Sequence, residues 1–151
     1  MKTNTIYLKY GMLMAGALIG YFVLIRLMGL HENYWLRILN GGIVSYGIYA
    51  AIKKQKSIEK ENFQYFYGFA TGILTGVVAT FIFVAFMGIY LFHIEPAFAE
   101  MLMSYVAGTG GTEILLLILT IEGFSSSVVL SLAFMQYFKV SRNIPDNSVA
   151  A

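Results

Sequence analysis

Glu113 to Lys139 reads EILLLILTIEGFSSSVVLSLAFMQYFK. A bilayer core takes about 20 apolar residues of helix. This run exceeds that, yet it holds one carboxylate, Glu122, well inside its apolar part. An acidic side chain at that depth needs a partner, a water-filled cavity or a proton. The rest of the chain has to be organised around it.

The composition agrees with lipid as the main solvent. Of 151 residues 58% are hydrophobic and only 12% charged, against about 25% charged in soluble domains. The length leaves no room for a second domain. The absence of Cys removes disulfides, thiolate metal sites and thiol nucleophiles together. At the N-terminus Lys2 and Lys9 precede an apolar run that continues from Tyr10 to Leu30, broken only by Arg26. That is too long for the core of a signal peptide, and no small-x-small cleavage site follows, so it reads as a retained span.

Working outward, four spans are expected, at about 8–30, 35–52, 65–92 and 114–138. They form a single transmembrane domain over 1–140, followed by a polar tail at 141–151. The connection from His31 to Tyr34 is tight enough to make the first two helices antiparallel neighbours. The second span is short, with Arg37 near its start and Lys53-Lys54 closing it. Lys53 to Asn62 is the most charged segment and reads as a loop. Phe63 to Phe92 contains no charged residue and opens on an aromatic belt, FQYFYGF, of the kind found at membrane interfaces. In the outer loop Pro96 suits a first helical turn. Phe98, Met101, Leu102 and Tyr105 share one face there, giving a short amphipathic helix.

Positive charge sets the orientation. Lys2, Lys9, Lys53, Lys54, Lys56, Lys60, Lys139 and Arg142 fall on one side, and only Arg26 and Arg37 on the other. Both termini are therefore expected in the cytoplasm. A faint repeat aligns Asn40-Gly41 with Glu122-Gly123 and Ser45 with Ser127, as two hairpins of the same orientation would.

Gly68, Gly72 and Gly76 recur at every fourth position of the third span, with a counterpart in Gly123, Ser127 and Ser131 of the fourth and Gly16 and Gly20 of the first. Helices in lipid associate through close backbone approach rather than a hydrophobic force. These faces are read as packing within the chain, with docking of another subunit as the alternative. For Glu122 the candidate partners by depth are Arg26, Arg37 and Asn40, with Ser126 able to satisfy a leftover lone pair. Two readings follow: a paired carboxylate that pins helix register, or a carboxyl that exchanges a proton or touches a ligand. His31 and His93 each lie near a Glu at the outer side, but two His on separate loops are weak evidence for a metal, and none is expected. There is no nucleophile–base pattern and no P-loop, so no enzyme activity, cofactor or nucleic-acid binding is expected.

The layout resembles a family of small four-helix bacterial inner-membrane proteins, a domain of unknown function common in Bacteroidota. The resemblance rests on Lys9-Tyr10-Gly11, on Lys53-Lys54, and on FQYFYGFATGILTG at Phe63 to Gly76. It extends over nearly the whole chain and implies the fold and the inner membrane, but no catalytic residue. The expectation is an all-α integral membrane bundle of four transmembrane helices. Its expected role is an accessory or scaffold subunit whose partners are lipid and other membrane subunits or itself. The alternative is a small oligomeric transporter or channel built around Glu122.

Overall fold

The computed structural model describes residues 3–30, 35–105 and 111–139. They form five helices: α1 (Thr3–Leu27), α2 (Leu36–Glu59), α3 (Tyr65–Ile89), α4 (Pro96–Tyr105) and α5 (Thr112–Phe138). No strand occurs among the described residues. Three segments are long and apolar enough to cross a membrane: Thr5–Leu27, Tyr65–Ile94 and Thr112–Phe138. The chain is a helical membrane protein. The expected second span, α2, is not among the three. Asn40, Gly41, Gly42 and Ser45 dilute its apolar half, and lysines fill the other.

α3 is the central helix, packed against α1, α2 and α5. Gly11 meets Thr75 and Val78 while Arg26 meets Tyr90, so α1 and α3 run side by side in the same direction. Tyr21 donates to the Leu36 carbonyl at 2.9 Å, and Gly47 abuts Met14, which sets α2 antiparallel to α1. α2 and α5 then run together, and the Lys56 ammonium donates to the Phe138 carbonyl at 3.0 Å.

Two helix ends differ from the sequence expectation. α1 stops at Leu27, because Gly29 adopts φ +68°. The Gly29 amide bonds Arg26 O and the Leu30 amide bonds Ile25 O, both at 3.1 Å. This is the paired closure of a Schellman motif, and it favours glycine at the left-handed position. α2 does not end at Lys53-Lys54 but runs on to Glu59, so most of the expected loop is helix. Lys, Gln and Glu are good helix formers. Lys56 also gains a carbonyl at the negative end of α5 and lies 5.5 Å from the Phe138 ring centre. The chain then turns at Lys60 (φ 48°) into a single 3-10 turn, Lys60–Asn62.

The apolar interior has two parts. The inner one gathers Met14, Leu18, Ile48, Ile52, Ala79, Met135 and Phe138. The outer one gathers Met87, Tyr90, Leu91, Phe98, Ala99 and Leu115. The second brings the amphipathic helix α4 onto the top of the bundle, against α5 and the end of α3. Phe98 is buried there and Met101 and Leu102 half-buried.

Candidate functional site: a polar cleft between α2 and α5

Between the two apolar clusters the bundle is not filled. A cavity of about 520 Å³ lies where α2 and α5 part. One wall is Asn40, Gly41, Val44 and Ser45 of α2, and the other is Leu119, Glu122, Gly123, Ser125, Ser126, Val129 and Leu130 of α5. Leu18, Thr80 and Phe83 close the back. Small residues leave the room: glycine and serine at these positions cannot span the gap between two helix backbones. Asn40 Oδ1 is buried and has no hydrogen-bond partner among the described residues, the arrangement that a resident water or ligand donor completes. Glu122, Gly41 and Ser125 are exposed, so the cleft opens sideways.

The α5 wall is held rigidly from behind. Gly68 faces Met135, Gly72 faces Ser131, Gly76 faces Ser127, and Thr80 faces Gly123. Each step of four residues along α3 meets a step of four back along α5, an antiparallel ladder in constant register. Gly68, Gly72 and Gly76 are buried. The Ser127 and Ser131 side chains occupy the space where side chains of Gly76 and Gly72 would begin. Ser127 Oγ is satisfied within its own helix, donating to Gly123 O at 2.6 Å, and Thr75 Oγ1 likewise donates to Thr71 O at 2.7 Å. Ser131 Oγ is buried without a conventional partner among the described residues. It lies against the Gly72 backbone, where a Cα–H can face it as a weak contact.

A second polar group closes the outer end. Arg26 forms an ion pair with Glu95 through Nη2. Its Nε donates to Glu95 Oε2 at 2.7 Å and to the Tyr90 hydroxyl at 2.8 Å. The Tyr90 hydroxyl in turn donates to Glu95 Oε2 at 2.6 Å. Between α3 and α4 the chain makes one π turn, Tyr90–Ile94, closed by the Glu95 amide on Tyr90 O at 2.9 Å. In an α-helix, residues five apart diverge by roughly 140° at about 100° per residue. The wider turn brings Tyr90 and Glu95 to one side, where both meet Arg26. Phe22 packs edge-on to Tyr90 with ring centres 5.0 Å apart, and also touches Phe86 and Phe98.

A family model described as "Protein of unknown function (DUF4199)" matches residues 9–139. The chain belongs to the DUF4199 family. No curated protein and no solved structure matches it.

In this DUF4199 chain the residues singled out from the sequence fall in three places. Glu122, Asn40 and Ser126 share the cleft. Gly68, Gly72, Gly76, Gly123 and Ser127 form the α3–α5 ladder. Arg26 belongs to neither: the carboxylate it engages is Glu95, so of the candidate pairs for Glu122 the one with Arg26 is not formed. The reason is local. Arg26 stands in the last turn of α1, one residue from its end, level with the π turn and away from the cleft. The side chain of Arg37 and all of His31 lie outside the described residues. His93 is exposed on the π turn, and among the described residues no three His, Asp or Glu gather as a metal site. Gly16 and Gly20 of α1 face open space rather than another helix.

Neither Tyr90 nor Glu95 stands out in the sequence as part of a site; the one available signal is that Glu95 and Arg26 carry opposite charges at the ends of their helices. The network in this DUF4199 protein ties α4 to α1, so Glu95→Ala is expected to loosen α4 without melting the bundle. Hydrogen exchange should speed up over 95–105 and stay unchanged over the α3–α5 ladder. Equal acceleration in both regions would contradict a local role.

Proposed function

We propose that the chain is a four-span protein of the bacterial inner membrane, with both termini in the cytoplasm. Its α2–α5 cleft passes protons, or a small solute coupled to them, by way of Glu122. One observation carries this reading: a cavity of about 520 Å³ that has Glu122 and the unsatisfied Asn40 Oδ1 on its walls. Intramembrane carboxyls that line cavities mark ion and proton routes. Glu122 is ten residues into α5, roughly 15 Å from its outer end at about 1.5 Å per residue. The fourth span would be α2, whose apolar part from Leu36 to Ile52 is at the short limit of about 17 residues for a crossing. Lys53 and Lys54 beyond it would reach the cytoplasmic interface with their charged ends. The lysine distribution supports that orientation.

The test is proton flux into liposomes holding a pH-sensitive dye, with an imposed pH gradient. The wild-type chain should exceed empty liposomes, and Glu122→Gln should return flux to that background. Wild-type flux equal to empty liposomes, or full flux in Glu122→Gln, would sink the reading.

A second reading, an accessory subunit of a larger membrane complex, draws on the open Gly16–Gly20 face of α1. Small residues at that spacing allow close helix approach. Isolation from the native membrane as a lone chain in mild detergent would count against it.

A further inference from the structure

We propose that the inner mouth of the α2–α5 groove binds an anionic phospholipid, its phosphate met by Lys53 and Lys139 over a shelf of aromatic rings. The inference rests on the four-span reading above. Tyr49, Lys53 and Lys56 recur at i, i+4 and i+7 of α2, so they form one stripe. Three contacts turn that stripe toward the last turns of α5. The Tyr49 ring centre lies 5.5 Å from that of Phe134 and 5.3 Å from that of Phe138, and Lys56 donates to the Phe138 carbonyl. Tyr137, 75% exposed, extends the shelf with its ring centre 5.3 Å from that of Phe138. Lys139 follows the Phe138 carbonyl directly, so α5 brings a lysine of its own to the mouth. Lys53 and Lys139 are exposed, and among the described residues neither pairs with a carboxylate. Glu59 is turned to Gln55 on the neighbouring face of α2.

Charge and depth together select the occupant. Lys53 is the first residue beyond the apolar part of α2, which puts it at the edge of the hydrocarbon, where the headgroup layer begins. Its ammonium lies 5.7 Å from the Tyr49 ring centre. A ring face attracts a cation within about 6 Å, but it leaves other donors of the ammonium unfilled. Phosphate oxygens fill them with charge-assisted bonds. Lys56 has a different part: held on the Phe138 carbonyl, it covers the negative end of α5, which would otherwise repel a phosphate. Basic pockets between helices at the cytoplasmic face are where anionic headgroups collect. The acyl chain has a track as well. Ala133 and Val129 are exposed one turn apart above the shelf, and Val129 also lines the cavity, so the track leads to the side opening of the cleft. A free anion would satisfy the lysines but leave that apolar track and Tyr137 uncovered.

The test is quenching of a single tryptophan by lipids brominated on the acyl chain. Trp35→Phe removes the one native indole, and Tyr137→Trp places one on the shelf. In mixed vesicles, brominated phosphatidylglycerol should quench it more than the same fraction of brominated phosphatidylcholine. Lys53→Gln and Lys139→Gln should each lower that preference about 5-fold, while Arg at both positions keeps it. Lys9→Gln removes the same charge from α1, about 140° round that helix from Met14 at its contact with α2, and should change nothing. Excess inorganic phosphate, set against chloride of equal ionic strength, should leave the preference in place. Equal quenching by the two lipids would overturn the site and leave the four-span reading standing, as would an equal loss in Lys9→Gln or abolition by inorganic phosphate. Quenching by neither lipid would put the inner end of α5 outside the bilayer and overturn both.

Discussion

Gly76→Leu is expected to be among the most damaging single substitutions in the bundle. A side chain started at Gly76 runs into Ser127, whose Cβ is only 2.5 Å from that first carbon. The Ser127 Cβ is fixed by the α5 backbone, so no rotamer change clears it. α3 and α5 must separate or rotate, and the ladder above and below Gly76 loses contact with them. Overpacking costs about 1–3 kcal/mol in general, and with an atom fixed by the backbone in the way about 3 kcal/mol is expected here. In lipid this close contact is the main attraction between helices, so nothing else recovers it. Gly16→Leu is the control, since nothing lies within 4 Å of the Gly16 position. Thermal melts in one detergent should show a large drop for Gly76→Leu and no drop for Gly16→Leu. Equal losses would mean that the α1 face is covered in the protein as isolated, and would favour the subunit reading.

Ile52→Ala follows. Ile52 is fully buried in the inner cluster and its Cδ1 reaches the Gly72 backbone. Truncation leaves a hole against a helix pair already at closest approach. Large-to-small core changes of this type cost about 2–5 kcal/mol in water-soluble proteins. Part of that figure is transfer of the side chain out of water. If α2 is the fourth span proposed above, its separated reference state is still in lipid and that part largely disappears. What remains is the lost van der Waals contact, so the expected cost is near the lower end, about 2 kcal/mol. Ile38→Ala makes the same chemical change at 60% exposure on the same helix, and should shift the melt little. If the two substitutions cost the same, the inner cluster is not the close-packed body described above.

Much of the fold was legible because a bilayer demands long uninterrupted apolar helices, and α1, α3 and α5 satisfy that demand in plain sequence. The glycine spacing of α3 was equally legible, since a four-residue repeat can describe only one helix face. The end of α2 was not. Lys53-Lys54 resembles a stop because charge is costly in a bilayer, yet a charged pair does not end a helix. Lys56 continues it by finding a partner that only the folded chain supplies, the Phe138 carbonyl, while Gln55 bonds Glu59 one turn further along the same helix. Arg26 shows the same limit in the site. Depth along the helices gave several candidate partners for one carboxylate, Glu122, and the engagement of Arg26 by Glu95 instead depends on a π turn that leaves no mark in composition or periodicity. The cleft was half legible. Its polar residues were identified, but an empty volume between two helices has no residue of its own.

That π turn has a consequence for the length of the chain. It holds one residue more than an α-helix would need between Tyr90 and Glu95. Loss of one residue from that stretch would leave Glu95 four positions after Tyr90, about 40° apart in an ordinary α-helix and so still on the side that meets Arg26. Gain of a residue would instead turn Glu95 away by about a further 100°. The interval between Tyr90 and Glu95 therefore tolerates shortening better than lengthening.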